Sequence, residues 1–160
     1  MDFPIVISSS EEYQLIVSRG YEPLIDILLF RMDIHLRVQI QHELFGGSSL
    51  NKGNVLQGNQ KYYHYCWDHK PHFGKCQNCF HPLDFFAATF VSHIQGRGAY
   101  AELAYDPRNS NILCFNCHRK WESLTERFNM SIYRENQYLI NLFKTEYYEY
   151  SRRSFAELHY

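Results

Sequence analysis

The chain has 160 residues, 45% of them hydrophobic and 21% charged, which is enough for a packed core and excludes a wholly disordered chain. Sixteen Lys and Arg against seventeen Asp and Glu give a net charge of −1, which excludes a protein that coats nucleic acid through bulk positive charge. No apolar run reaches the ~18 residues of a membrane span, and no basic stretch followed by an apolar core opens the chain. The expectation is a cytoplasmic protein with no membrane partner.

Residues 9–19 are predicted as a short helix, with Ser9 or Ser10 as N-cap and Glu12 in its first turn. Pro23 suits the first turn of a second helix, whose apolar positions Ile25, Leu28, Leu29, Met32, Leu36, Ile40 and Leu44 keep helical spacing. Gly46-Gly47 ends it, and residues 46–60, rich in Gly, Ser and Asn, read as a loop or linker. Lys61–Lys70 is aromatic and basic and reads as a helix leading to the cysteines. Phe85–Ile94 is rich in β-formers and reads as a strand, followed by a loop over Gln95–Asn109 and a short second strand at Asn111–Leu113. Phe115–Phe128 reads as a helix. Ile132–Leu158 reads as a long amphipathic helix with Leu139, Leu142, Phe143, Tyr147 and Tyr150 on one side. The expected organisation is an N-terminal helical region (1–60), a central core (61–130) and a C-terminal helix packed on it (131–160).

Charge is uneven along the chain. Residues 61–120 hold seven basic and four acidic residues, whereas residues 1–60 hold four basic and seven acidic. Six of the nine histidines (His64, His69, His72, His81, His93, His118) share that basic stretch. All five cysteines also lie there, four of them as two C-x-x-C pairs, Cys76 with Cys79 and Cys114 with Cys117. In a chain with no export signal, such pairs read as metal ligands rather than disulfides. Two residues between ligands let a tight turn aim both sulfurs at one ion, and four thiolates suit a tetrahedral structural Zn²⁺. Cys66 has no such partner and is expected in the core.

Between the pairs lie Phe90-Val91-Ser92-His93-Ile94, a strand end carrying a histidine, and Asp106-Pro107-Arg108-Asn109. His118 follows the last cysteine directly. Over residues 62–128 this arrangement resembles the HNH endonucleases, which belong to the ββα-metal or His-Me finger group, and among them phage-type proteins linked to recombination. The resemblance implies an α+β fold. A ββα-metal core clipped by the four-cysteine zinc site would be flanked by N- and C-terminal helices. It implies an endonuclease that hydrolyses DNA phosphodiester bonds. His93 would be the general base. Asn109 would orient that imidazole or join the metal shell, with Asn111 the competitor for its place. His118 would be a ligand of a catalytic Mg²⁺ or Mn²⁺. Many members carry Asp or His just before the base, where this chain has Ser92.

The chemistry stands beside the resemblance. Hydrolysis needs a base near neutrality for water and a cation on the scissile phosphate. Glu122 lies four residues after His118, on the same helix face, and its carboxylate suits Mg²⁺ or Mn²⁺. Arg97, Arg108, Arg119 and Lys120 are candidate phosphate contacts. DNA is the expected partner, and an aromatic helical flank leaves a homodimer open. Two other classes compete with the nuclease. One is a zinc-stabilised nucleic-acid-binding module without catalysis, favoured by Ser92. The other is a zinc-built protein-interaction domain, favoured by the near-neutral pI.

Overall fold

The computed structural model describes residues 5–19, 30–46, 52–97 and 99–158. The fold is mixed α and β. A short strand β1 (Ile5–Ile7) leads into helix α1 (Ser10–Ser18). Ser9 is the cap: its Oγ accepts from the Glu12 amide at 3.2 Å, while Glu12 accepts from the Ser8 amide at 2.8 Å.

The helix expected over Pro23–Leu44 is corrected. Phe30–Met32 forms a strand, β2, parallel to β1 with Ile5 opposite Phe30. Asp33 then starts helix α2 (Ile34–Gln41), its carboxylate accepting from the His35 amide at 2.9 Å. An Asp that can cap its own helix competes against continuing an earlier one. The portion from Pro23 to Leu29 lies outside the described residues. A π-turn at His42–Gly46 ends the segment.

The loop expected at 46–60 is also corrected, because helix α3 runs over Lys52–His69. Its Tyr62 and Cys66 are one turn apart and fully buried, in a cluster with Phe45, Leu83, Val91, Tyr105 and Ile112. Tertiary burial of that face carries the helix through a Gly- and Asn-rich start that propensity alone would leave unfolded. Phe45 brings the N-terminal region into the same core as the cysteine-bearing segment.

The central element is a hairpin-like pair. Strands β3 (Val91–His93) and β4 (Ser110–Ile112) are antiparallel, with Val91 opposite Ile112, Ser92 opposite Asn111 and His93 opposite Ser110. The strand expected over Phe85–Ile94 is thus shorter, being preceded by a single 3-10 turn at Ala88–Phe90. Helix α4 (Phe115–Glu122) begins at the second cysteine pair. It stops six residues before the expected Phe128, since Ser123 turns extended and its Oγ accepts from the Glu126 amide. Helix α5 (Ser131–Leu158) follows. Its Ile132, Asn136, Ile140 and Phe143 are buried, Leu139 and Leu142 partly so, and the side chains of Tyr147 and Tyr150 lie outside the described residues. Among the described residues no helix is long and apolar enough to cross a membrane.

A buried ion network ties α2, α5 and the turn before β4 together. Arg37 holds Glu146 with two bonds of 3.2 and 2.7 Å. Arg108 bonds both Glu146 (3.0 Å) and Asp106 (2.7 Å) and lies over the Phe143 ring. Burial alone would raise the Asp106 carboxyl, but Arg108 and then Arg37 override it and hold it below the ordinary aspartate value. Asp106 therefore contributes stability that is present above about pH 4 and lost as pH falls through its lowered folded value. Removing one member of so buried a pair strands the other charge, so Arg108→Ala is expected to destabilise the fold by about 3–5 kcal/mol. Urea denaturation of the variant checks this, and repeating it on Asp106→Asn at falling pH should show a weaker acid dependence than the parent.

Candidate functional site

The four sulfurs of Cys76, Cys79, Cys114 and Cys117 all lie within 4.8 Å of one another. Cys79 and Cys114, from different pairs, have sulfurs 3.7 Å apart. A tetrahedral ion with Zn–S bonds of about 2.3 Å needs sulfurs about 3.8 Å apart, so the cluster fits a metal ion such as zinc. Local backbone explains the aim of the sulfurs. The Cys76 amide donates to the His81 carbonyl and the Phe80 amide to the Cys76 carbonyl, folding residues 76–81 into a knuckle with Phe80 at φ 63°. Cys114 occupies the N-cap of α4, which places Cys117 one turn along. Cys66 is buried in the core, as expected, and is not part of this set.

Two residues inside the first knuckle seat it on the rest of the chain. Gln77 bonds β4 twice, its amide to the Ile112 carbonyl (2.8 Å) and its Oε1 from the Ile112 amide (2.7 Å). Asn78 donates to the Cys117 sulfur at 3.4 Å and accepts from Ser131 Oγ and the Ile132 amide at the start of α5. Sequence reading missed both. Their only signal was polarity within a C-x-x-C turn.

Beside the cysteines, β3 and α4 wall a cavity of about 680 Å³. His93, His118, Glu122, Ser92 and Arg97 all line it, together with Tyr63 and Arg127. His93 Nε2 lies 3.0 Å from the Ala104 carbonyl, which can only accept, so the proton sits on Nε2 and Nδ1 keeps its lone pair. The ring stacks on buried Tyr62, with centroids 5.3 Å apart and planes at 14°. Burial, with smaller contributions from Arg97 and His118, pushes the imidazole down to about 4 against the Ala104 bond, so His93 is neutral at physiological pH. Trp121 joins the two walls, its Nε1 donating to the carbonyls of His93 (3.0 Å) and Ile94 (3.2 Å).

His118 Nδ1 lies 2.6 Å from the Thr89 carbonyl, which likewise fixes its proton. Its Nε2 then faces Glu122 Oε1 at 3.3 Å. Ligands about 2.1 Å from one octahedral ion stand about 3.0 Å apart at right angles, so the pair fits a divalent ion. A histidine ligand with its other nitrogen on a carbonyl is the usual supporting arrangement.

Other expectations change. The Asn109 side chain bonds Gln95 and Leu103 rather than the His93 ring. Its amide is wholly engaged with the loop between the strands: Oδ1 accepts from the Gln95 amide (2.7 Å), and Nδ2 donates to the carbonyls of Gln95 (3.0 Å) and Leu103 (3.1 Å). It closes the loop whose Ala104 carbonyl holds His93, and so acts on the imidazole through the backbone. Asn111 has a different task, accepting from Asn136 of α5 at 3.0 Å. Arg108 is corrected as a phosphate contact, because its guanidinium is spent on Asp106 and Glu146. Arg119 is exposed beside Glu126, and Lys120 lines a second groove rather than this cavity. Ser92 is buried, its hydroxyl without a hydrogen-bond partner among the described residues. No family profile, curated protein or solved structure matches this chain.

Proposed function

We propose that this chain is a metal-dependent endonuclease of the HNH type, acting on DNA in the cavity between β3 and α4. The carrying observation is the convergence there of a neutral His93, with its lone pair on Nδ1, and the His118–Glu122 pair. The order strand β3, strand β4, helix α4 supports this reading, since a strand–strand–helix core is what the resemblance implies. On this reading the four cysteines hold a structural zinc. His118 and Glu122 hold Mg²⁺ or Mn²⁺, which would offset charge developing on the scissile phosphate.

A base held near pH 4 accepts a proton poorly from free water. The reading therefore needs the cation at the same phosphate, because charge relief there lowers what is asked of the imidazole. His93 is oriented by the Ala104 carbonyl and the Tyr62 ring, and Asn109 bonds the carbonyl of the preceding residue, Leu103. Arg97, exposed on the cavity rim, is the phosphate contact favoured by position.

Incubation with plasmid and with branched DNA, in Mg²⁺, Mn²⁺ or no added divalent ion, tests the reading. With one or two protein ligands, activity is expected to need about millimolar divalent ion. Glu122→Ala should raise that requirement, and Ser92→Asp, which adds a carboxylate to the cavity wall, should lower it. An unchanged Mg²⁺ dependence in Glu122→Ala would reduce Glu122 to a surface charge. If no divalent ion supports cleavage of any DNA, the zinc-stabilised binding module takes the nuclease's place, since Ser92 leaves the site one strong ligand short.

A further inference from the structure

The other side of α4 carries a second groove, of about 550 Å³, that the proposed chemistry does not use. Phe85 and Phe115 line it and are 72% and 67% exposed, with Phe90 half buried beside them. Lys120 and His81 also line it, against one acidic neighbour, Asp84. The knuckle at its rim adds Phe80, itself 67% exposed at a left-handed φ of 63°. Glycine is the residue such a backbone favours. A phenylalanine there meets a conformational cost that its exposed side chain does not recover by packing. The knuckle that aims Cys76 and Cys79 sets this backbone and leaves the ring on the surface.

Cys79, Cys114 and Cys117 form part of the groove's lining, so a metal clip would hold the aromatic rings in place. It also borders the first cavity, since α4 presents His118 and Glu122 to one and Phe115 and Lys120 to the other. One helix, about 10 Å across, separates them. Its volume falls within the range of small-molecule sites. Flat apolar rings beside a lysine are a recurring platform for unstacked bases, with the ring on the base and the lysine on the phosphate.

We infer that this groove seats an unstacked nucleobase of the strand whose phosphate lies at His118 and Glu122, so that the substrate class is DNA with unpaired bases. This rests on the nuclease reading for the first cavity. Single-stranded, flapped or branched DNA then binds, and fully paired linear duplex does not engage the groove.

The test uses the full-length chain and a short single strand carrying 2-aminopurine, whose fluorescence is quenched on stacking, with the matching duplex as control. The parent protein should bind the single strand more tightly and quench the probe. Phe85→Ala with Phe115→Ala should weaken single-strand binding about 10-fold and restore the fluorescence, since stacking on an aromatic ring is worth that order per base. Both side chains are exposed, so circular dichroism should be unchanged; should the double variant misfold, Lys120→Glu serves instead and should weaken the same binding. Equal affinity and quenching in parent and variants would overturn the groove and leave the nuclease reading intact if plasmid is still cut. Loss of self-association in the variants with DNA binding unchanged would make the patch a protein contact and overturn the inference equally. Lost single-strand binding in the variants, with no cleavage by any form of the protein, would keep the groove and remove the nuclease.

Discussion

Cys114→Ser, or treatment with a strong chelator to withdraw the metal that the four cysteines would hold, is expected to unfold the centre of this protein. The sulfurs of Cys76 and Cys117 lie within the hydrophobic cluster formed by Ile94, Leu113, Trp121, Met130, Ile132 and Ile140. That cluster joins β3, β4, α4 and the first turns of α5. The metal would therefore clip the segments on which all the site residues stand. Apparent zinc-binding free energies of about 10–16 kcal/mol in small zinc domains match or exceed the ~5–15 kcal/mol net stability of a whole domain. Elemental analysis should find one zinc per chain. Circular dichroism and thiol titration should show helix loss and newly reactive thiols, the four of the cluster and the otherwise buried Cys66, when it is stripped. Less than half an equivalent of zinc in a protein that keeps its fold, with its thiols free, would sink this expectation. Binding requires thiolates, so zinc should also leave as the solution is acidified.

His93→Ala is expected to lower DNA cleavage by ~10² or more while leaving DNA affinity nearly unchanged, because loss of a general base is felt in the transition state. Steady-state cleavage with a parallel anisotropy titration separates the two. Wild-type cleavage by this variant would take His93 out of the mechanism. The structure adds a pH expectation with a definite sign. The folded-state value of His93 is pushed down to about 4, so its protonation should not reduce cleavage until the pH approaches that value. The same depression means that the unfolded chain takes up this proton first. His93 therefore contributes stability above its ordinary value near 6.5 that declines as pH falls toward 4. Tyr62→Leu, which strips the stacked ring from His93, should weaken both effects.

Features carried by short-range spacing were legible in the amino-acid sequence. Two C-x-x-C pairs announced a four-sulfur cluster, because a knuckle needs only its own turn to aim two thiols. His118 and Glu122 were read as neighbours from a separation of four on a helix, and they are in contact. A serine cap at 9 or 10, which the structure assigns to Ser9, and the extent of α5 were readable for the same reason. Tertiary structure decided what depends on partners far along the chain. Arg108 sits in a run that suits phosphate binding, yet Glu146, thirty-eight residues away, claims its guanidinium inside the protein. Asn109 stands at the spacing of a residue that orients the histidine, yet its amide satisfies buried backbone groups of Gln95 and Leu103. The helix of residues 52–69 forms through a Gly-rich start because Tyr62 and Cys66 are buried by Phe45, Leu83 and Ile112. Spacing determines which side chains can meet within a turn. Desolvation, which is a property of the whole fold, determines which polar group must spend its bonds on the protein and which keeps a lone pair for a substrate.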